Sequence, residues 1–494
     1  MPRAGLAGVP ASRVRRTRIP RSGLLLLAAA LLIYSGGDLW QNISWPAFYS
    51  FDETLEVDYV YQLTQGHLPT FFGGAEFNPL HLQYPYDVQW RYQHPPLFYL
   101  LEMPVFLLFD TLNHPIRGIW AMRALVWVMG VTLVCTSRWA ARWMIGREGF
   151  AVSLVPVIVA ANRCLPSVVF NYTLASLWVT LLIGMTAKLL RTLPFDVSTR
   201  RGTFAGWLVI VTLAPLTRLS TIPIMGLCLL IVFIAVLLGD EHKARGVLLL
   251  TIVPGVLAVL SSAWFYLRLH ALSGNFTGSQ PEWSSTHLQR DTHKSFVESL
   301  LNPGFYKSTM SQYQNSSVTG TPHGWAFVLA LTIIPLMLGF LAMIRWIASA
   351  VRNRDRAGVT NTSLMVALLC CAFFGTVFQQ LLFYKQGGSA NAVYFSLISI
   401  VFAVTISLGL TQFERGNGVV AKLLAGCWLA CKLATFLYET KLRWPFAAGG
   451  TMEQAGSMMR SAAWLAIAVT VVGVLLAAVT TCLSSAAPAR PEAR

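Results

Sequence analysis

The sequence predicts an all-α polytopic membrane protein with about 12 transmembrane helices, and with interfacial helices in its first outer loop. Three observations carry this. Apolar runs long enough to cross a bilayer recur from one end of the chain to the other. Of the 494 residues, 55% are hydrophobic and 12% charged, against roughly 25% charged in a soluble domain. The basic residues behind the net charge of +16 gather in short clusters between the runs, as the positive-inside rule describes. In a soluble protein such a charge would point to nucleic acid. No basic patch with base-stacking spacing is present, so membrane lipids are the expected partner and nucleic acid is not.

The elements follow in order from the basic flanks. Arg13, Arg15, Arg16, Arg18 and Arg21 make 1–22 a cytoplasmic N-terminus, and a first helix over 23–39 runs outward. This start resembles a signal peptide; the many spans that follow favour a signal anchor. The next basic cluster, Arg138, Arg142 and Arg147, comes after the apolar run 119–136, which therefore runs inward. Residues 40–117 are left outside. The apolar stretch 95–112 within them is too short to cross twice. It is expected along the outer interface, as an amphipathic or re-entrant helix.

Paired spans then alternate outward and inward: 150–166 with 168–187, 204–216 with 221–238, 247–265 with 325–344, 363–383 with 393–411, and 419–437 with 462–482. Residues 23–483 form one transmembrane domain, with a second long outer loop at 267–323. The tail 484–494 is small, Pro-rich and cytoplasmic, and expected to be disordered. No internal repeat is visible, which weakens an inverted-repeat transporter. The eight cysteines lie in or beside apolar runs and read as small buried hydrophobes.

The first outer loop concentrates acidic, basic and aromatic residues. Phe51, Leu55, Tyr59 and Leu63 form one apolar helical stripe, with Asp52 and Glu56 on a neighbouring face. Asp52 and Glu53 are adjacent, so a helix points them about 100° apart. One can face a substrate while the other is held by a partner. A carboxylate near hydrocarbon is usually paired or functional, and an ionised Asp can act as a base. The same spacing equally fits a solvated acidic helix start. At the far end of the loop, Arg91 and His94 stand beside Pro95 and Pro96, whose fixed φ makes a rigid break. A cation there suits a phosphate at the membrane surface, or snorkels to lipid phosphates. Tyr84, Tyr86, Trp90, Tyr92, Phe98 and Tyr99 suit either sugar stacking or an interfacial belt.

The order Asp52-Glu53 followed by His94-Pro95-Pro96-Leu97-Phe98-Tyr99 in one outer loop resembles the GT-C glycosyltransferases. The protein O-mannosyltransferases and the aminoarabinose transferase of lipid A are the nearest in pattern. Looser matches are Trp264-Phe265-Tyr266-Leu267-Arg268 with Gly274-Asn275-Phe276-Thr277-Gly278, and Leu216-Thr217-Arg218 in place of a Leu-Thr-Lys turn. Two departures stand out. Asn171-Tyr172 replaces an Asn-Asp pair, and Val393-Tyr394-Phe395-Ser396 replaces Arg-Tyr-Leu-Leu-Pro, with Lys385 the candidate for the missing cation.

The resemblance implies inverting transfer of a sugar from a polyprenyl-phosphate donor to an extracytoplasmic acceptor: a glycan, a lipid or a protein. Asp52 would be the general base, and Glu53 would orient the acceptor or a basic partner. Arg91, His94, Arg268 and Lys385 would meet the donor phosphate. Glu56, Tyr92 and Tyr99 would contact substrate. The pattern fixes no cofactor; a divalent metal stays open, since GT-C branches differ in their metal use, although the outer histidines lack ligand spacing. The Ala/Arg-rich ends suggest a high-GC bacterium, hence a bacterial plasma membrane with the site on its outer face. The rival readings are a transporter or flippase of a lipid-linked intermediate and a non-catalytic envelope assembly subunit.

Overall fold

Leu-, Val- and Ala-rich runs with few charges form helices, because a chain in hydrocarbon must satisfy its backbone polar groups internally. The computed structural model describes residues 20–49, 52–81, 87–162, 164–165, 167–195, 199–239, 243–311, 316–353, 356–414 and 418–484. The basic residues before position 20, the tail beyond 484, and Phe51, Tyr84 and Tyr86 lie outside them.

Among the described residues, nine helices are long and apolar enough to cross a membrane. They are α1 (Arg21–Ser44), α4 (Pro115–Ile145), α6 (Tyr172–Thr192), α8 (Thr221–Gly239), α9 (Lys243–Ser273), α10 (Gly324–Arg352), α11 (Arg356–Lys385), α13 (Gly418–Met452) and α14 (Ser457–Leu483). Three shorter apolar helices, α5 (Phe150–Ala160), α7 (Arg201–Leu216) and α12 (Ser399–Thr411), occupy the remaining expected runs. The stretch 40–117 contributes α2 (Glu53–Thr64) and the short apolar α3 (Leu97–Leu108). This is the expected all-helical polytopic fold.

Exposure sorts the helices. Leu230, Leu260, Ile344 and Phe374 on α8 to α11 are large, apolar and exposed, as lipid-facing side chains are in a protein whose solvent is hydrocarbon. On α3, Leu107 and Leu108 are exposed while Phe98, Tyr99 and Phe106 are buried, a two-faced pattern suited to an interface. By contrast α5 and α12 are covered almost completely. A proline two residues beyond a widened turn marks both α9 (Leu248–Ile252, then Pro254) and α10 (Leu329–Ile333, then Pro335). Proline has no N–H to give, and the wide turn accommodates the break in the ladder.

The short helices correct two expected boundaries. The run 150–166 stops being helix at Ala160, and the run 393–411 holds only a short Val393–Ser396 turn before α12 begins at Ser399. Irregular backbone is tolerated at membrane depth where protein buries it, and here it is buried: Val168, Val169, Val393 and Leu397 are nearly inaccessible. Irregular or single-turn segments after α5 and α7 and before α12 bring Asn171, Arg218 and Tyr394 together around Tyr172.

Lys432 on α13 is buried, donates to the carbonyl of Ala161 at 3.1 Å and lies 5.4 Å from the Trp428 ring. Its ammonium is held inside the bundle, which gives the transporter reading no support from this charge.

Candidate active site

Helix α2 brings four acidic side chains, Asp52, Glu53, Glu56 and Asp58, into a largely buried setting. It is covered on nearly every side, with Glu53, Glu56 and Asp58 all 0% exposed. Of the expected apolar stripe, Leu55 and Tyr59 are fully covered and Leu63 is half-buried, while Phe51 lies outside the described residues. Each acid has a different set of partners.

Glu53 is locked. Arg123 of α4 grips it with two bonds, Nε to Oε1 at 2.8 Å and Nη2 to Oε2 at 2.6 Å. Phe48 and Val169 donate backbone N–H bonds to its two oxygens, each at 3.0 Å. The remaining donors of Arg123 reach the carbonyls of Asn42, Trp45 and Pro46. A bidentate, fully hydrogen-bonded pair is the arrangement in which buried charge is tolerable. Asp58 is a pin: it accepts the N–H of Glu76 and of Phe77 at 2.7 Å, and Gln62 at 2.9 Å, with Gln89 as a further donor. Burial still pushes its carboxyl up to about 6.

Asp52 sits at the start of α2 and is the open one, with its side chain 30% exposed. It pairs with Arg91 Nη2. Arg91 lies in a short turn, Trp90–Gln93, where its N–H donates to the side chain of Gln89 at 3.0 Å. Gln89 in turn bonds α2 through Leu55 O, so the turn is tied to the helix. Arg91 Nε is 3.2 Å from Glu56 Oε1, off the line of a good hydrogen bond, and its guanidinium covers the Phe170 ring at 5.0 Å. Burial lowers Arg91 to about 10, so it remains a cation at neutral pH.

His94 continues the line. Its Nε2 is 3.3 Å from Arg91 Nη1 and 3.2 Å from Arg218 Nη1. A guanidinium only donates, so Nε2 accepts from both and the ring proton belongs on Nδ1. Burial, then the charges of Arg218 and Arg91, hold His94 well below its usual range. It is a neutral spacer between two cations. Arg218 donates to Asn171 Oδ1 at 2.5 Å and Tyr172 Oη at 2.6 Å, and its guanidinium lies 3.7 Å from the Tyr172 ring centre. Asn171 Nδ2 donates to Tyr99 Oη at 3.3 Å, and Tyr99 stacks on Tyr59 at 3.8 Å. Tyr59 Oη closes the group by donating to His94 O at 2.9 Å. Burial pushes Glu56 up to about 8, against the pull of the Tyr99 hydroxyl and of Arg218.

Of the residues expected from sequence, Asp52, Glu56, Arg91, His94 and Tyr99 come together here. Glu53 is beside them but turned to Arg123. Tyr92 is 1% exposed, donates to Gly278 O at 2.6 Å and packs on Phe71; it ties the stretch before α3 to the one after α9. Arg268 donates to Leu68 O at 3.2 Å and Pro69 O at 2.8 Å, leaving its buried Nη1 without a partner. Lys385 is exposed at the end of α11. Arg123, Arg218, Asn171 and Tyr172 were not expected as site residues. An arginine in the apolar run of α4 was a usable signal, since a charge there needs a buried partner. Among the described residues, no three His, Cys, Asp or Glu side chains converge as a metal site requires.

No protein-family model matches the sequence, and no curated protein does. Solved structures do resemble it. The crystal structure of ArnT from Cupriavidus metallidurans bound to undecaprenyl phosphate has a TM-score of 0.50 and 15% identity, over 93% of this chain and 77% of that one. The apo state of the same protein gives 0.49 and 15%, over 93% and 76%. The archaeal oligosaccharyltransferase AglB from Archaeoglobus fulgidus, in complex with an inhibitory peptide and a dolichol-phosphate, gives 0.45 and 13%, over 93% and 56%. At such identity the likeness to ArnT is one of fold, and it agrees with the architecture described above.

Proposed function

We propose that this chain, whose fold is that of the GT-C membrane glycosyltransferases, transfers a sugar from a polyprenyl-phosphate donor to an extracytoplasmic acceptor. The observation that carries this reading is the line Asp52–Arg91–His94–Arg218, open at the carboxylate and buried at the cations. Inverting transfer needs a base for the acceptor hydroxyl and positive charge for the departing phosphate, within one site.

In this mechanism the acceptor O–H gives its proton to Asp52 as its oxygen attacks C1. The new C1–O bond forms, the bond from C1 to the phosphate oxygen breaks, and the electron pair leaves on polyprenyl phosphate. The donor phosphate and Asp52 compete for the same guanidinium. A bound phosphate takes over the outer N–H of Arg91 and leaves Asp52 a stronger base, so donor binding prepares the carboxylate. Arg218, on the far side of neutral His94, supplies the second cation. Glu53 acts at one remove, by fixing the first turn of α2 through Arg123.

The lipid-linked donor draws support from the exposed leucines of α3, next to Tyr99, and from the undecaprenyl phosphate bound to ArnT. The basic residues Arg138 and Arg142, at the end of α4 away from Arg123, support a site on the outer face of the membrane.

The test is Asp52→Asn in proteoliposomes supplied with polyprenyl-phosphate sugars. Loss of transfer by about 10²- to 10⁴-fold, at unchanged yield and melting temperature, is expected. Wild-type rates in that variant would remove Asp52 as the base.

A further inference from the structure

A second polar feature lies at the other end of the bundle. A cavity of about 450 Å³ opens where α4 meets α5 and where α10, α11 and α12 reach the same level. Its polar lining includes Arg147, Arg345, Asn353, Gln412 and Glu414, with Trp346 as a flat wall. The stretch of α4 from Arg123, beside Glu53, to Ile145, at the cavity, separates the two sites by about 33 Å.

The cavity has a packing origin. α10 and α12 touch backbone to backbone at Gly339 and Gly409: a Cβ on Gly339 would lie 2.2 Å from Thr405 O, and one on Gly409 2.6 Å from Gly339 N. Small residues permit such an approach. The cavity lies beside this contact, lined by Ala342 on α10 and by Leu408 and Thr411 on α12.

Its charge is uneven. Glu148 takes both Arg138, at 2.8 Å, and Arg142, at 3.2 Å. The lining itself has two arginines and one carboxylate, Glu414. Arg345 Nη1 donates to Gln412 Oε1 at 2.9 Å. That bond fixes the amide so that its Nε2 is buried with no partner. A buried N–H without an acceptor is costly, and a ligand oxygen would satisfy it. Leu408 and Ala350 add apolar wall, and Ile344 and Val351 on α10 are exposed where lipid would lie.

We infer that this cavity binds a phosphate-bearing anion, through Arg345 and the free N–H of Gln412, separately from the site at Asp52. The phosphate arrives either as the head group of an anionic phospholipid of the adjacent leaflet or as a free phosphate compound. The site is independent of the transferase reading.

Native mass spectrometry of the full-length protein in detergent, with phosphatidylglycerol or phosphatidylcholine added, reads the first source. A thermal-shift series with inorganic phosphate reads the second. Retention of phosphatidylglycerol over phosphatidylcholine, lowered about tenfold by Arg345→Ala, identifies the lipid. A phosphate-dependent rise in melting temperature, lost in Arg345→Ala, identifies the free compound. Gln412→Leu keeps the guanidinium and much of the side-chain volume, and should weaken the same signal even if Arg345→Ala folds poorly. Equal retention of both lipids together with no phosphate shift in the wild type would overturn the inference, as would unchanged binding in both variants.

Discussion

Asp52 and Glu53 follow one another in the chain, carry the same functional group and each pair with an arginine. Around Glu53 both oxygens are bidentately held by Arg123 and also receive backbone N–H bonds, and Arg123 spends its other donors on three carbonyls. Around Asp52 the carboxylate is partly exposed, and Arg91 leads on to a neutral histidine and a second arginine. The first region has no bonding capacity left for a ligand. The second can exchange partners without breaking the fold. A saturated ion pair holds an element in place, and an unsaturated one beside it is free for chemistry.

The comparison can be broken at its closed end first. Arg123→Ala leaves Glu53 charged and alone inside protein, and is expected to cost roughly 3–5 kcal/mol, read as lost folded yield or melting temperature in detergent. Arg123→Lys should rescue little, since a point charge cannot reproduce the forked contacts. A stable, active Arg123→Ala protein would mean that Glu53 is not the anchor of α2.

At the open end, Arg218→Ala should lower kcat/KM for the lipid donor by about tenfold to a hundredfold, with a smaller loss of stability. Steady-state kinetics with donor and acceptor varied separately would check this. Arg268→Ala should act in the same sense but more weakly, about tenfold on donor use, because its guanidinium reaches the loop carbonyls rather than Arg91 or His94. A defect confined to the acceptor would place Arg268 elsewhere.

The smallest effect concerns Glu56, whose carboxyl moves from 4.5 to about 8 on folding. Between those values the folded chain keeps a proton that the unfolded chain has released, so stability falls as pH rises through the window. Glu56→Gln removes that slope. The wild type should lose a melting temperature advantage over the variant by roughly a few degrees from pH 5 to pH 8. Asp58, pushed up to about 6, titrates in both proteins and largely cancels.

The spans were legible because hydropathy and basic flanks are summed over many residues, and the first outer loop stood out by its charges. Asp52, Arg91 and His94 could be brought together from one short stretch with a rigid proline break. The division of labour between Asp52 and Glu53 came from the family resemblance and not from the spacing. Helical spacing separates the two side chains but does not say which one meets Arg123, a residue 70 positions away. Arg218 was visible in its turn, yet nothing local ties it to His94, 124 positions earlier. Tyr92 shows the converse: its place in the loop suited a sugar contact, while Gly278 of the second loop claims its hydroxyl.

The early stop of α5 and the late start of α12 have one more consequence. Main-chain groups at those outer ends are released from the helical ladder, and Val169 already spends its N–H on Glu53. A donor that belongs to the peptide survives every side-chain replacement except proline. This part of the molecule should thus absorb ordinary mutation with little loss of polarity, and Val169→Pro is the exchange that would silence it.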